Sequence, residues 1–227
     1  MTHVKAVLFD LFETLISEFA DGARKVDRAN RNDAARLGLT HEVYRKEWGA
    51  RSVKRSTGAF ADYFAAMRDL LGGQNAAVPE QVLRELYEER VLEKKAAFAD
   101  IRPDVFELLE RLKRGGVKLA LVSNCTEEEV VSWPDCGLAA YFDEVLFSYE
   151  VRLAKPDPSI YKLACERLGV APGECVFIGD GGSDELNGAK AAGIRAYQAV
   201  WQLPPSMRER DSGYPQLVTP LAALDVV

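Results

Sequence analysis

The sequence predicts an α/β fold, in which helices pack on both faces of a parallel β-sheet. Short apolar runs, nearly continuous and rich in β-branched residues, recur along the chain, as is typical of buried parallel strands. Helical patterns separate most of these runs. Because strands that alternate with helices form βαβ units, we expect a three-layer, Rossmann-like sheet core. A long segment with helical patterns alone interrupts this core near the N-terminus.

Each predicted strand is a short, largely apolar run. The runs are Val4–Phe9, Val117–Val122, Glu144–Phe147, Cys175–Ile178 and Ile194–Val200. The helical patterns that accompany them are Asp104–Lys113, Pro158–Leu168 and Asp184–Ala192. A glycine follows each of these patterns within two residues, and glycine is the residue that most often ends a helix.

The segment 17–99 shows no convincing strand and is predicted to be an all-helical insertion. Its helical patterns are Asp33–Leu37, Glu42–Arg51, Phe60–Leu71 and Pro79–Phe98. An insertion directly after the first strand lies over the carboxyl end of that strand, where α/β proteins bind ligands. We therefore divide the chain into a core of residues 1–16 and 100–227 and a cap of residues 17–99. The cap is either a lid that sets specificity or a second structural domain without a role in the site.

Length, charge and cysteine usage restrict the classes of function. The chain has 227 residues and a net charge of −6, so a broad nucleic-acid-binding surface is not expected. It has no apolar run of about eighteen residues and no pattern of a signal peptide, so we expect no membrane association. The four cysteines are irregularly spaced, which argues against zinc and favours a cytoplasmic location. No feature predicts the oligomeric state.

Three predicted strands end in polar residues that can carry chemistry. Asp10 follows the first strand, Ser123-Asn124 the second, and Asp180 the fourth. Because the carboxyl ends of parallel strands meet at the same edge of a sheet, these side chains are expected to converge on one crevice. Taken singly, each residue has a simpler interpretation as a helix cap or a turn residue. Their joint occurrence favours a functional site.

Acids and a lysine near this crevice predict a site for Mg²⁺ and an anion. Asp180 and Asp184 lie four residues apart in a glycine-rich loop, and carboxylates gathered near Asp10 repel one another unless a cation is present. Hard oxygen ligands suit Mg²⁺. Lys155, in a Lys-Pro turn before a helix, can offset negative charge on Asp10 and on a phosphate. The alternatives are that Asp184 only caps a helix and that Lys155 is a solvated surface residue.

Together these segments resemble, in order, the four motifs of the haloacid dehalogenase-like hydrolase superfamily. Phe9–Leu15 is similar to the nucleophile motif, Val122–Asn124 to the second motif, and Lys155 with Pro-Asp-Pro to the third. Gly179-Asp180 with Asp184 is similar to the fourth motif. The resemblance covers essentially the whole chain, and the family's helical cap also follows the first motif.

The resemblance implies a covalent mechanism with Mg²⁺ as the cofactor. Asp10 is then the nucleophile and forms an ester or a mixed anhydride that water resolves. The implied metal ligands are Asp10, the backbone carbonyl of Phe12, Asp180 and Asp184. The resemblance also implies that the transferred group is bound by Ser123, Asn124 and Lys155.

One position departs from the family pattern. Family phosphatases usually carry a second Asp two residues after the nucleophile, which protonates the leaving group, whereas this chain has Phe12. A phenyl ring transfers no proton, and the loss of a general acid typically costs about 10²–10⁴ in rate. The adjacent Glu13 is a poor substitute, because neighbouring residues of an extended segment point in different directions.

Three functions are compatible with Phe12. Asp180 with Asp184 favours a Mg²⁺-dependent phosphatase of a small phosphorylated metabolite, whose leaving group needs little protonation or receives a proton from the cap or the substrate. A 2-haloacid dehalogenase-type hydrolase is the second, because a halide needs no proton and the family's dehalogenases have an aromatic residue there. A degenerate protein that binds a phosphometabolite or a protein partner without turnover is the third.

In the cap, Arg55 is the predicted contact for a carboxylate or second phosphate of the substrate. Arg51 lies one helical turn away and can act with it. Phe12 is predicted to contact the substrate from the core. The alternative for the cap arginines is a solvated helix face.

Overall fold

A computed structural model describes residues 3–29, 31–204, 208 and 212–227 of the chain. The strands in chain order are β1 (Ala6–Phe9), β2 (Phe19–Ala20), β3 (Ala23–Arg24), β4 (Lys118–Ser123), β5 (Glu144–Phe147), β6 (Cys175–Gly179), β7 (Arg195–Ala199) and β8 (Gln216–Leu217). Within these residues, β2 and β3 pair with each other, and the other six strands form one parallel sheet in the order β5-β4-β1-β6-β7-β8.

The predicted fold class is confirmed, and each of the five predicted strands overlaps a strand of the sheet. β8 is not predicted by the sequence, because two residues carry too little pattern to identify a strand. The central strand β1 pairs with β4 and β6, so that Phe9 lies beside Leu121 and Ile178. This register brings the carboxyl ends of the three central strands together.

The helices in chain order are α1 (Asp33–Arg36), α2 (His41–Ala50), α3 (Ser52–Ser56), α4 (Tyr63–Gly73), α5 (Glu80–Phe98), α6 (Pro103–Arg114), α7 (Ser148–Val151), α8 (Pro158–Leu168) and α9 (Glu185–Ala191). The short helices α3 and α7 are not predicted by the sequence. None of the described helices is long and apolar enough to cross a membrane.

The sheet is covered on both faces, which explains its continuous apolar strands. Val7 and Phe9 of β1 pack in one apolar cluster with α6, whereas Ala6 and Leu8 pack in another with α8 and α9. All four side chains are fully buried. Alternate residues of each strand therefore serve opposite layers, as the predicted three-layer architecture requires.

The inserted segment is not all-helical, and this prediction is wrong in one respect. β2 and β3 form a small antiparallel hairpin just after the first motif. Its turn residues Asp21 and Gly22 both have positive φ, of 51° and 80°. Asp-Gly is a common turn for such hairpins, but strands of two residues show no alternation from which they could be predicted.

The rest of the segment consists of α1–α5, which have an apolar cluster of their own. Tyr63 and Met67 of α4 pack in it with Leu83 and Leu86 of α5. This cluster is separate from the two clusters of the sheet. It supports the proposal that residues 17–99 form a cap, whose limits stay a prediction.

Buried ion pairs join the cap to the core. Glu129, in the turn after β4, pairs with Arg90 and Lys94 of α5, the latter at 3.1 Å. Lys94 also pairs with Glu18 at 2.8 Å. Burial alone raises the pKa of Glu129, but Lys94 and Arg90 outweigh it and lower the pKa to about 2.

Glu129→Gln is expected to lower the free energy of unfolding by about 3 kcal/mol at neutral pH. Because the folded-state pKa is depressed, ionised Glu129 stabilises the fold above its ordinary pKa of 4.5, and this contribution is lost as the pH falls towards about 2. Urea denaturation of both proteins at several pH values measures the effect. The exposed Glu166 on α8 gives the control variant Glu166→Gln, which should change little. If the difference in the free energy of unfolding between wild type and Glu129→Gln stays constant over this pH window, ionised Glu129 does not stabilise the fold as proposed.

Candidate active site

Asp10 lies directly after β1 at the carboxyl edge of the sheet and is 6% exposed. Its backbone N–H donates to the Ile178 carbonyl at 3.0 Å, which continues the pairing with β6. Its Oδ1 accepts a hydrogen bond from the Lys155 ammonium. Among the described residues, its Oδ2 accepts only a long hydrogen bond from Thr14 Oγ1, at 3.4 Å. One carboxylate oxygen is therefore held firmly, and the other is more available.

Lys155 is buried and is fixed from two sides. Its backbone N–H donates to Asn124 Oδ1 at 2.8 Å, and its carbonyl accepts from Asn124 Nδ2 at 2.7 Å. Its ammonium donates to Asp10 and, at 2.5 Å, to Glu185 Oε2. Burial lowers the pKa of Lys155, but the two carboxylates outweigh burial and raise it. Lys155 is therefore a fixed cation inside the site rather than a solvated residue.

Three carboxylates gather around this cation. Asp10, Asp180 and Glu185 each offer an oxygen within 4.8 Å of the others. Glu185 Oε1 accepts from the Gly181 N–H at 3.0 Å, and Asp180 Oδ1 accepts from the Gly182 N–H at 2.9 Å. The glycine-rich loop thus orients both acids through its backbone.

Burial and the neighbouring carboxylates raise the pKa values of two of these acids, Glu185 and Asp180. Burial, with the Asp10 carboxylate close by, raises the pKa of Glu185 to about 8, although Lys155 opposes the shift. Burial and Asp10 also raise the pKa of Asp180. The cluster therefore holds more negative charge than one ammonium neutralises, which is the condition under which a divalent cation binds well.

The structure places Asp184 outside this cluster, in contrast to the prediction from the sequence. Its side chain is exposed and accepts a hydrogen bond from Asn187 Nδ2 at 2.6 Å. Ser183 and Asp184 both have a φ of 54°, so the chain turns before α9 begins at Glu185. Glu185, Gly188 and Ala189 share the buried side of α9. This helical spacing is the signal that would have selected Glu185 from the sequence.

Ser123 lies at the end of β4 and is buried. Its Oγ has no hydrogen-bond partner among the described residues. A buried hydroxyl without a partner costs free energy, and such groups often serve a bound ligand. Its neighbour Asn124 has both side-chain atoms on Lys155, so it positions the lysine, and its role as a substrate contact stays a prediction.

Phe12 and Glu13 follow the nucleophile but offer no free acid. The Phe12 ring packs edge-on against Phe98 of α5, and the Lys94 ammonium lies 4.4 Å from its centroid. Glu13 accepts hydrogen bonds from Ser17 Oγ at 2.5 Å and from the Glu18 N–H at 2.8 Å. These contacts hold the Glu13 carboxylate in the turn that leads into the hairpin.

A cavity of about 610 Å³ lies between the cap and the carboxyl edge of the sheet. It is lined by residues of both parts, among them Arg55, Arg90, Asn124, Arg152 and Lys155. Its volume is in the range typical of small-molecule sites. Of the predicted site residues, Arg55, Asn124 and Lys155 line this cavity, and Lys155 connects it to Asp10 through its ammonium.

The two cap arginines that were expected to act together are separated. Arg51 pairs with Glu47 at 2.8 Å and with Asp69 at 2.7 Å, within the cap. The Arg55 guanidinium lies 3.8 Å from the centroid of the Trp48 ring. The buried Arg55 Nε has no hydrogen-bond partner among the described residues. Only Arg55 of the pair is therefore available to a ligand in the cavity.

A parallel sheet, an acidic site at its carboxyl edge and a cap over that edge define a capped α/β protein with a carboxylate-rich centre. Residues 4–193 match the model of the haloacid dehalogenase-like hydrolases. The chain therefore belongs to the haloacid dehalogenase-like hydrolase family. The hydrolase class that the sequence predicts is confirmed.

Relatives of similar length are named phosphatases. The chain is 29% identical over 238 residues to the glyceraldehyde 3-phosphate phosphatase of Methanopyrus kandleri, covering 99% of this chain and 97% of the relative. It is 31% identical over 216 residues to the N-acylneuraminate-9-phosphatase of Homo sapiens, covering 88% of this chain and 83% of that relative.

Solved structures of both functional types share the fold. A HAD family enzyme from Bacteroides thetaiotaomicron, in complex with magnesium and inorganic phosphate, has a TM-score of 0.62 at 20% identity, covering 91% of this chain and 100% of its own. A 2-haloacid dehalogenase from Pseudomonas syringae pv. Tomato DC3000 has a TM-score of 0.67 at 23% identity, covering 99% and 98%. At these identities the likeness shows the fold alone.

Proposed function

We propose that the chain is a Mg²⁺-dependent phosphatase that acts on a small phosphorylated metabolite through an aspartyl-phosphate on Asp10. The observation that carries this proposal is the set of three carboxylates whose oxygens lie within 4.8 Å of one another. Displacement of a halide from carbon needs no metal, whereas transfer of a phosphoryl group benefits from a cation that neutralises its oxygens. The phosphatase names of the relatives support the same choice.

The donor set fits Mg²⁺. The side-chain ligands are Asp10, Asp180 and Glu185, with the Phe12 carbonyl as a further oxygen, and Glu185 takes the place predicted for Asp184. All are hard oxygen donors, and the raised pKa of Glu185 reports uncompensated negative charge. Bound Mg²⁺ would neutralise and orient the phosphoryl oxygens. The Bacteroides enzyme of the same fold was solved with magnesium and phosphate, which supports this assignment.

The remaining residues either take part in the attack on phosphorus or bind the phosphate. Asp10 Oδ2, the less engaged oxygen, attacks phosphorus, while Lys155 holds Oδ1 and balances the charge. Ser123 Oγ donates to a non-bridging oxygen, which gives this buried hydroxyl its missing partner. Asn124 acts as a positioning residue, because it fixes the backbone of Lys155.

Arg55 is the proposed contact for the part of the substrate that lies in the cap. Its guanidinium lines the cavity and has no carboxylate partner among the described residues. Stacking on Trp48 holds the guanidinium plane without using its N–H donors. We also propose a cytoplasmic location, which the four free thiols support.

A release assay with and without metal tests the proposed function. Purified protein with Mg²⁺ should release phosphate from an aryl phosphate, and EDTA should abolish that release. The second candidate, a 2-haloacid dehalogenase, is favoured by Phe12 and by the dehalogenase of the same fold. Chloride release from 2-chloropropionate that EDTA leaves unchanged would replace the phosphatase proposal with this candidate.

Glu185→Gln is expected to weaken metal binding by at least about tenfold, because it removes one of three carboxylates. Asp184→Asn is the matched control, since Asp184 is adjacent but exposed, and its metal affinity should stay within about twofold. Calorimetric titration with Mg²⁺ or Mn²⁺ measures the affinity without turnover. If Asp184→Asn weakens metal binding and Glu185→Gln does not, Asp184 is the ligand instead of Glu185.

A further inference from the structure

Strong cations line the cavity beside Lys155, and Phe12 and Glu13, which follow the nucleophile position, offer no free acid there. An alkoxide that leaves a phosphate ester is a strong base and needs a proton in the transition state. Phe12 supplies none, and its ring is fixed under α5 by Phe98 and Lys94. Both oxygens of Glu13 accept hydrogen bonds from the turn that follows.

Among the described residues that line the cavity, the carboxylates, the lysine and the thiol are engaged elsewhere. Glu129 is paired with Arg90 and Lys94, so it stays ionised. Asp157 accepts from the Ser159 N–H at 2.8 Å and caps α8. Lys155 donates to two carboxylates, which retain its proton. The buried Cys125 thiol lies against the Ser123 carbonyl, with its sulfur at 3.7 Å.

Guanidinium groups dominate the cap side of the cavity instead. Arg55, Arg90 and Arg152 line it, and neither Arg55 nor Arg152 has a carboxylate partner within 4 Å among the described residues. A guanidinium holds its protons at any physiological pH, so it stabilises an anion without protonating it. The cavity is therefore suited to a leaving group that departs as an anion.

We propose that the preferred substrates of this site are acyl phosphates, whose leaving group departs as a stabilised carboxylate anion, rather than alkyl phosphates. This inference rests on the proposed phosphatase function and specifies its substrate class. The guanidiniums of Arg55 and Arg152 receive the departing anion, and no proton donor is needed at position 12.

Neither of the two chemical steps needs a general acid. In the first, Asp10 Oδ2 forms a bond to phosphorus, the bond from phosphorus to the leaving oxygen breaks, and the electron pair leaves with the carboxylate. In the second, water attacks the aspartyl-phosphate, Asp10 is regenerated, and both protons of the water leave with dihydrogen phosphate. Without a base to activate that water, the second step is slow.

The test compares phosphate release from acetyl phosphate, a series of aryl phosphates with phenols of different acidity, and glycerol phosphate. We expect kcat/KM to rise on the order of tenfold for each unit by which the leaving-group pKa falls, because no protonation offsets it. Rapid mixing with the best aryl phosphate should show a burst of phenolate equal to the enzyme concentration. These measurements need only the wild-type protein.

Phe12→Asp and its matched control Phe12→Asn add an independent measurement. Phe12→Asp should raise the rate with glycerol phosphate by about 10²-fold and make kcat/KM depend less on the leaving-group pKa. Phe12→Asn should leave the steep dependence of kcat/KM on the leaving-group pKa unchanged. If wild type hydrolyses glycerol phosphate as efficiently as acetyl phosphate, and kcat/KM does not depend on the leaving-group pKa, the proposed substrate class is overturned and the phosphatase function stands. If no compound of the panel releases phosphate, both proposals are overturned.

Discussion

Asp10→Asn is expected to lower phosphate release by at least about 10⁴-fold, because the amide cannot form the aspartyl-phosphate. Asparagine has nearly the same size, and its Oδ1 can still accept a hydrogen bond from the Lys155 ammonium, while its Nδ2 is a donor. The change therefore removes the nucleophile and one negative charge while the packing at the end of β1 is preserved. A stopped-flow assay with an aryl phosphate gives both the steady-state rate and any burst, and both should vanish.

The stability of this variant separates a chemical effect from unfolding. Asp10 repels Asp180 and Glu185, as their raised pKa values indicate. Glu185 still pairs with Lys155 when Asp10 is neutral. The metal-free variant should therefore unfold at the same urea concentration as wild type or at a higher one. Activity of Asp10→Asn within about tenfold of wild type would show that another group attacks phosphorus.

Lys155→Met is expected to lower the free energy of unfolding by about 3–5 kcal/mol, the usual cost of removing one partner from a buried ion pair. The side chain of Lys155 is 2% exposed and pairs with Asp10 and Glu185. Without the ammonium, these carboxylates either stay charged in a buried site or must take up protons. Urea denaturation in EDTA measures the loss.

Two comparisons make this second prediction specific. Lys162→Met is the matched control, because Lys162 lies on α8 and is exposed, and it should change stability by less than about 0.5 kcal/mol. Adding Asp10→Asn to Lys155→Met removes one of the unpaired carboxylates and should restore part of the loss. A loss below about 1 kcal/mol for Lys155→Met would mean that Lys155 does not neutralise the carboxylate cluster.

The parts of the fold that can be predicted from the sequence are those with a long apolar pattern. β1, β4 and β6 are buried on both faces, so their continuous apolar runs and the polar residues that follow them identify the edge where Asp10, Ser123 and Asp180 meet. β8 and the hairpin of β2 and β3 have strands of two residues, which are too short to show a pattern from which a strand can be predicted.

The third acid of the site could not be assigned from loop spacing alone. Asp184 and Glu185 are adjacent, and the left-handed conformation of Ser183 and Asp184 decides which one faces inward. Such a conformation is uncommon for residues other than glycine and is not predictable from this sequence. The buried positions of α9 give the better signal, because Glu185 lies on the same side as Gly188 and Ala189.

The roles of individual polar residues depend on contacts across the fold. The sequence does not predict that Asn124 binds the backbone of Lys155 with both of its side-chain atoms. Arg51 and Arg55 are one turn apart in sequence, yet Asp69 of α4 pairs with Arg51 alone. These partners lie 18 to 31 residues away, so local patterns do not identify them.

The most direct test of the central claim is to look for the aspartyl-phosphate itself. The protein is mixed with an aryl phosphate and Mg²⁺, quenched with acid within its first turnover, and digested for mass spectrometry. We predict one phosphoryl group per chain, carried by Asp10 and absent from Asp10→Asn and from samples with EDTA. Phosphate release with no phosphoryl group on Asp10 at any quench time would contradict the account.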